Sequence, residues 1–147
     1  MTPSVYDLAE KIEHTLLKPE ATPFQIDRLC DEAVEHGFYG VCVNPIYISR
    51  VRARFDRHSR SQLAAISVVG FPLGANATST KVAEAQRALD DGASELDMVA
   101  CVGLLSAGEM SNVRRDIEAV ARVIHSRNSP GILKVIVESA NLSQSFL

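Results

Sequence analysis

The chain has 147 residues, with 15 Lys+Arg against 18 Asp+Glu and a net charge of −3. Apolar residues make up 46% and charged residues 22%, the balance of one globular domain spanning residues 1–147 rather than of a disordered or collagen-like chain. A slightly acidic chain without a basic stripe argues against nucleic acid and anionic membrane surfaces, and no apolar run approaches the ~20 residues needed to span a bilayer.

The elements follow in chain order. Tyr6 to Ile12 reads as a short helix leading into IEHTLL. Thr22 can cap a helix, Pro23 fits its first position, and Gln25 sits where a capping box wants Glu or Gln. Leu29, Ala33 and His36 carry that helix to Gly37, a natural stop. A strand is expected at Tyr39 to Asn44. A helix follows Pro45, with Ile48, Val51 and Phe55 on one face. Leu63 to Phe71 is a long apolar strand, and GFPLGANATST is a turn-rich loop. Lys81 to Asp91 is helical and ends at Gly92. Glu95 to Ala100 is a strand, Ser106 or Ser111 opens a helix to about His125, and Ile132 to Glu138 is the last strand.

The clear strands begin near 39, 63, 95 and 132, a spacing of roughly 24 to 37 residues, the size of a βα unit. Strands rich in Val and Ile, each followed by a helix, predict an α/β fold with a parallel sheet covered on both faces. The choice is between an open doubly wound sheet and a (βα)8 barrel. An open sheet favours a glycine-rich phosphate loop after its first strand, and GFPLG does not spell one.

Side-chain alternation sharpens the choice. Leu133, Val135 and Val137 share one face of the last strand; Lys134, Ile136 and Glu138 share the other. Leu96 and Met98 oppose Glu95, Asp97 and Val99, and Val41 and Val43 oppose Cys42 and Asn44. In a barrel the aliphatic face packs on the helices, and Lys134, Asp97, Cys42 and Asn44 converge on the interior. Taken alone, Cys42 reads as a small core residue and each carboxylate as a structural ion pair. Four scattered histidines (14, 36, 58 and 125) lack metal-ligand spacing, so no metal is expected. The N-terminus carries acids and no apolar signal core. Cys30, Cys42 and Cys101 form no CxxC pair, so reduced thiols and a cytoplasmic location are expected.

The runs IEHTLLKPEAT, GVCVNPIYI, VVGFPLGANAT, KVAEAQRALDDGASELDMV and ILKVIVES, in that order, resemble deoxyribose-phosphate aldolase. The resemblance implies a (βα)8 barrel. It also implies a carbon–carbon lyase of deoxyribonucleotide catabolism that works without a cofactor. That lyase reversibly cleaves 2-deoxyribose 5-phosphate to glyceraldehyde 3-phosphate and acetaldehyde through a lysine Schiff base. Asp97 then matches the proton-relay acid, Lys134 the lysine beside the reacting carbinolamine, and Cys42 a pocket residue. Glu13 matches a position that is usually Asp, one methylene shorter. The family's Schiff-base lysine and phosphate loops match nothing in this chain.

A full barrel takes ~200–250 residues, so this chain is expected to be a truncated barrel of about five parallel βα units, inactive by itself. The alternative is a non-catalytic half-barrel that binds a partner or self-associates. Either way the last strand is an exposed edge, and self-association through it is expected. The implied small-molecule partner is a phosphosugar.

Overall fold

A computed structural model describes residues 8–128 and 131–142. Its centre is a five-stranded sheet in the order β1-β2-β3-β4-β5, every neighbouring pair parallel. The strands are β1 (Glu13–Leu16), β2 (Gly40–Val43), β3 (Ala64–Val69), β4 (Glu95–Val99) and β5 (Ile132–Ile136). Between them run the helices α1 (Pro23–His36), α2 (Ile48–Arg57), α3 (Thr78–Asp90), the short α4 (Val102–Ser106) and α5 (Met110–His125). Sequential order with one helical connection per step is the pattern of a barrel wall.

The capping signals act as read. Thr22 Oγ1 accepts from the Gln25 backbone N–H, the Gln25 side chain accepts from the Thr22 N–H at 2.8 Å, and Gly37 closes the helix in the left-handed region at φ 66°. Thr22→Ala removes one half of this box. It should lower stability by about 1 kcal/mol in urea unfolding, since N-cap losses run ~0.5–2 kcal/mol.

Most element ends lie within three residues of the sequence reading, and three differences are larger. β1 was not expected, because four residues, EHTL, carry too little alternation to announce a strand; parallel pairing with β2 creates it. The helix expected from Ser106 or Ser111 is two helices, broken between Ser106 and Met110, with Gly108 at φ 74°. Of the expected helix at Tyr6 to Ile12, residues 6–7 lie outside the described residues, 8–9 are helical and 10–11 form a turn.

The sheet has two distinct faces. Val41, Val43, Ala65, Val69, Leu96 and Met98 face the helices and pack with Ile26, Leu29, Val51, Phe55, Ala85, Val120 and Ile124. The inner face carries Cys42, Ala64, Ile66 and Val68 as a separate apolar cluster. It is therefore not uniformly polar as the strand parity suggested, because β3 contributes only aliphatic side chains there. Gly74, at φ 64°, lets the loop after β3 press on the end of β4. A Cβ there would lie 2.0 Å from the Ala100 carbonyl oxygen, closer than backbone can tolerate. Among the described residues, no helix is long and apolar enough to cross a membrane.

Candidate functional site

The register places Asp97 opposite Lys134 on adjacent strands and Glu95 two residues before Asp97 on the same face. Lys134 Nζ lies 3.0 Å from Oδ1 of Asp97 and 3.2 Å from Oε2 of Glu95, and it also contacts Oε1 of Glu13. Cys42 Sγ donates to Oδ2 of Asp97 at 3.6 Å, and the Tyr39 hydroxyl donates to Oε1 of Glu95. The structure thus brings Asp97, Lys134, Cys42 and Glu13 into one network on the inner face. Asn44 does not join them; its amide instead donates to the Leu17 carbonyl at 3.4 Å.

The Glu13 contact reveals the shape of the sheet. β1 and β5 are its two edges, and four strand spacings of a flat sheet would separate them by about 19 Å. Two side chains cannot bridge that distance, so the sheet must curl until its edges face each other across the interior. The extra methylene of Glu13 helps its carboxylate reach that far.

The network sits below the C-terminal strand ends of the barrel wall. Asp97, Lys134 and Cys42 are each the third residue of their strands, while Glu13 and Glu95 open theirs. Lys134 therefore leans toward the N-terminal ends. There, Glu13, Tyr39, Glu95, Ile132 and Lys134 border a cleft of about 240 Å³. A depression of about 270 Å³ on the outer surface is lined by Arg50, Arg54 and Arg57. It offers less free charge, because Arg50 and Arg54 are already in two-pronged bonds with Asp27 and Asp31.

The electrostatics follow from the packing. Burial works against the Lys134 charge, but the hydrogen bond to Glu13 and the nearby Asp97 carboxylate, with Glu95 behind them, outweigh it and hold its ammonium above the ordinary lysine range. The sequence pairs Lys134 with Asp97 alone; the structure adds Glu13 and Glu95. A raised lysine pKa contributes stability that is complete below the unfolded value and is lost as pH rises through the folded one. Burial, followed by the charge of Asp97, pushes the Cys42 thiol up to about 12. It is therefore a protonated donor at neutral pH and not a nucleophile. The Glu95 bond, followed by burial, raises Tyr39 as well.

Glu95 and Tyr39 were missed as site residues. Parity put Glu95 on the correct face, but nothing local showed that Tyr39, just before β2, would reach over β3 to meet it.

Five parallel strands in sequential order, curled around a charged interior, define the (βα)8-barrel class, of which this chain supplies about five units. By sequence and by fold its relatives are the deoxyribose-phosphate aldolases. It is 46% identical over 138 residues to the deoxyribose-phosphate aldolase of Thermococcus gammatolerans, covering 94% of this chain and 60% of the relative. It is 47% identical over 132 residues to that of Lactiplantibacillus plantarum, covering 90% and 59%. The tetrameric deoxyribose-phosphate aldolase of Aeropyrum pernix superposes with a TM-score of 0.86 at 31% identity, over 97% of this chain and 57% of that one. The chain thus spans about 60% of the length of the curated relatives it matches. No protein-family model matches it.

Proposed function

We propose that these residues carry part of the active site of a deoxyribose-phosphate aldolase, which cleaves 2-deoxyribose 5-phosphate reversibly to glyceraldehyde 3-phosphate and acetaldehyde. The observation that carries this reading is the Asp97–Lys134 pair on the inner face, in a chain of this identity to aldolases. Breaking a carbon–carbon bond next to a carbonyl leaves a carbanion equivalent. An iminium formed by a lysine amine accepts that electron pair, and a carboxylate moves protons at the same centre. In this reading Asp97 is the proton carrier and Lys134 the fixed cation beside the reacting carbinolamine. Cys42 and Glu13 line the pocket, and the protein works in the cytoplasm.

A chimera tests it. With these residues replacing the matched portion of the Thermococcus gammatolerans enzyme, cleavage of 2-deoxyribose 5-phosphate should be retained. Asp97→Asn in that chimera should then lower kcat by ~10²–10⁴, the usual contribution of a positioned acid–base group. Retention of full activity by Asp97→Asn would remove Asp97 from the mechanism.

Self-association belongs to the same proposal. β5 is an edge of the sheet, with Ile132 51% and Val137 41% exposed, and an unpaired parallel edge is a template for another strand. Val135 is a poor place to test it, because it packs on Ala100, Leu105 and Val113. Ile132→Lys and Val137→Lys bracket the edge at low cost to the core. Sedimentation of the 147-residue polypeptide should show oligomers that shift toward monomer in both variants. A compact monomer of the parent at high concentration contradicts this.

A further inference from the structure

Lys134 Nζ lies against three carboxylates; it donates a hydrogen bond to Glu13 and stands in ion-pair contact with Glu95 and Asp97. Those carboxylates differ in freedom. Glu13 comes from the opposite sheet edge and is the most exposed of the three. Asp97 is held on its other oxygen by the Cys42 thiol. Glu95 is the most deeply placed, with its side chain 6% exposed, and a carboxylate so buried is tolerable only when both oxygens are satisfied. Oε2 faces Lys134 and Oε1 takes the Tyr39 hydroxyl, so the plane of the carboxylate is fixed from both sides.

We propose that Glu95, oriented by Tyr39, is a positioning residue that completes a three-carboxylate seat for Lys134 and fixes it as an ammonium beside Asp97. The other charged groups bordering the cleft are Glu10 and Lys11. Facing Lys134 from the strands are Glu13 on β1, Glu95 and Asp97 on β4, and Tyr39 and Cys42 at β2. A lysine held this way has no free lone pair, so it orients a neighbouring carboxylate and does not form an imine. This role depends on the proposed function only in taking Asp97 and Lys134 as the working pair.

Competitive acetylation of the full 147-residue chain across alkaline pH tests the role, with exposed Lys18 as the internal reference and Lys134 read by peptide mass spectrometry. The midpoint of the pH profile separates titration from simple shielding. In the parent, Lys134 should react at least ~10-fold more slowly than Lys18 at equal pH, since each pKa unit is worth about tenfold. Glu95→Gln keeps the shape but loses the charge, and should shift the Lys134 midpoint down by about one unit. Tyr39→Phe should shift it in the same direction by less, because Glu95 is then free to turn into the cleft. Superimposable Lys134 profiles for the parent and Glu95→Gln overturn the proposal, as does a parent Lys134 that titrates with Lys18. Should Glu95→Gln fail to fold, Tyr39→Phe decides, since it removes one oxygen and no charge; an unchanged Lys134 midpoint there overturns the proposal. No substrate enters the experiment, so its outcome is independent of whether the protein cleaves a deoxysugar.

Discussion

Incubated with acetaldehyde and borohydride, the 147-residue polypeptide is expected to return with Lys134 unmodified, and it should not cleave 2-deoxyribose 5-phosphate. A Schiff base needs an uncharged amine aimed at the carbonyl. The chain has four lysines, Lys11, Lys18, Lys81 and Lys134. Lys11 and Lys18 are exposed, and Lys81 is buried on the helix side of the sheet against Asp116. Only Lys134 reaches the interior, and its three carboxylate contacts favour the charged form, which has no lone pair to give. Trapping should be read on the peptide containing Lys134, because the exposed lysines can react without any site. A stoichiometric reduced adduct on Lys134 would show that the seat opens readily, and would make Lys134 itself the nucleophile.

Much of this site was legible because a strand has a period of two. Once Lys134, Asp97, Glu95 and Cys42 are assigned to strands, alternation alone puts them on one face, and pairing of β4 with β5 sets Asp97 against Lys134. The first long helix was legible for a different reason. Thr22, Pro23, Gln25 and Gly37 act through contacts within a few residues, so tertiary structure had little to override. What stayed hidden depends on curvature and on distant partners. β1 exists only through β2. Glu13 meets Lys134 only because the sheet curls, and Tyr39 reaches Glu95 only because β3 presents small or aliphatic side chains between them. Asn44 satisfied the same parity as Cys42 but stands just past the end of β2, where the chain turns into a 3₁₀ segment (Pro45–Tyr47), and its amide found a backbone partner instead.

Asp116→Ala should destabilise the protein by about 3–5 kcal/mol, the usual cost of orphaning one member of a buried ion pair. On α3, Lys81, Ala85 and Ala88 form the buried stripe, so a lysine occupies a position where helix periodicity calls for an apolar residue. It is fully buried. Its Nζ donates to Asp116 Oδ2 at 2.6 Å and to the Val99 carbonyl at 3.1 Å, while its stem lies against Gly70. One side chain therefore ties α3 to α5 and to the C-terminal end of β4, two residues beyond Asp97. The pair is not ideally satisfied, for Asp116 Oδ1 has no hydrogen-bond partner among the described residues. That argues for specificity of arrangement over net stability, and it makes a second variant informative. Replacing both partners, as Lys81→Met with Asp116→Leu, removes the orphaned charge and should recover most of the loss, because buried pairs exchanged for apolar residues are often neutral or better. Urea unfolding at fixed protein concentration, which keeps any self-association constant, measures the parent, Asp116→Ala, the single variants Lys81→Met and Asp116→Leu, and the double. If Asp116→Ala unfolds within about 1 kcal/mol of the parent, the pair contributes little to stability despite its 2.6 Å separation. If the double variant is no better than the worse single, the pair is needed for the geometry at the end of β4, and the position of Asp97 is set in part by two helices on the far side of the sheet.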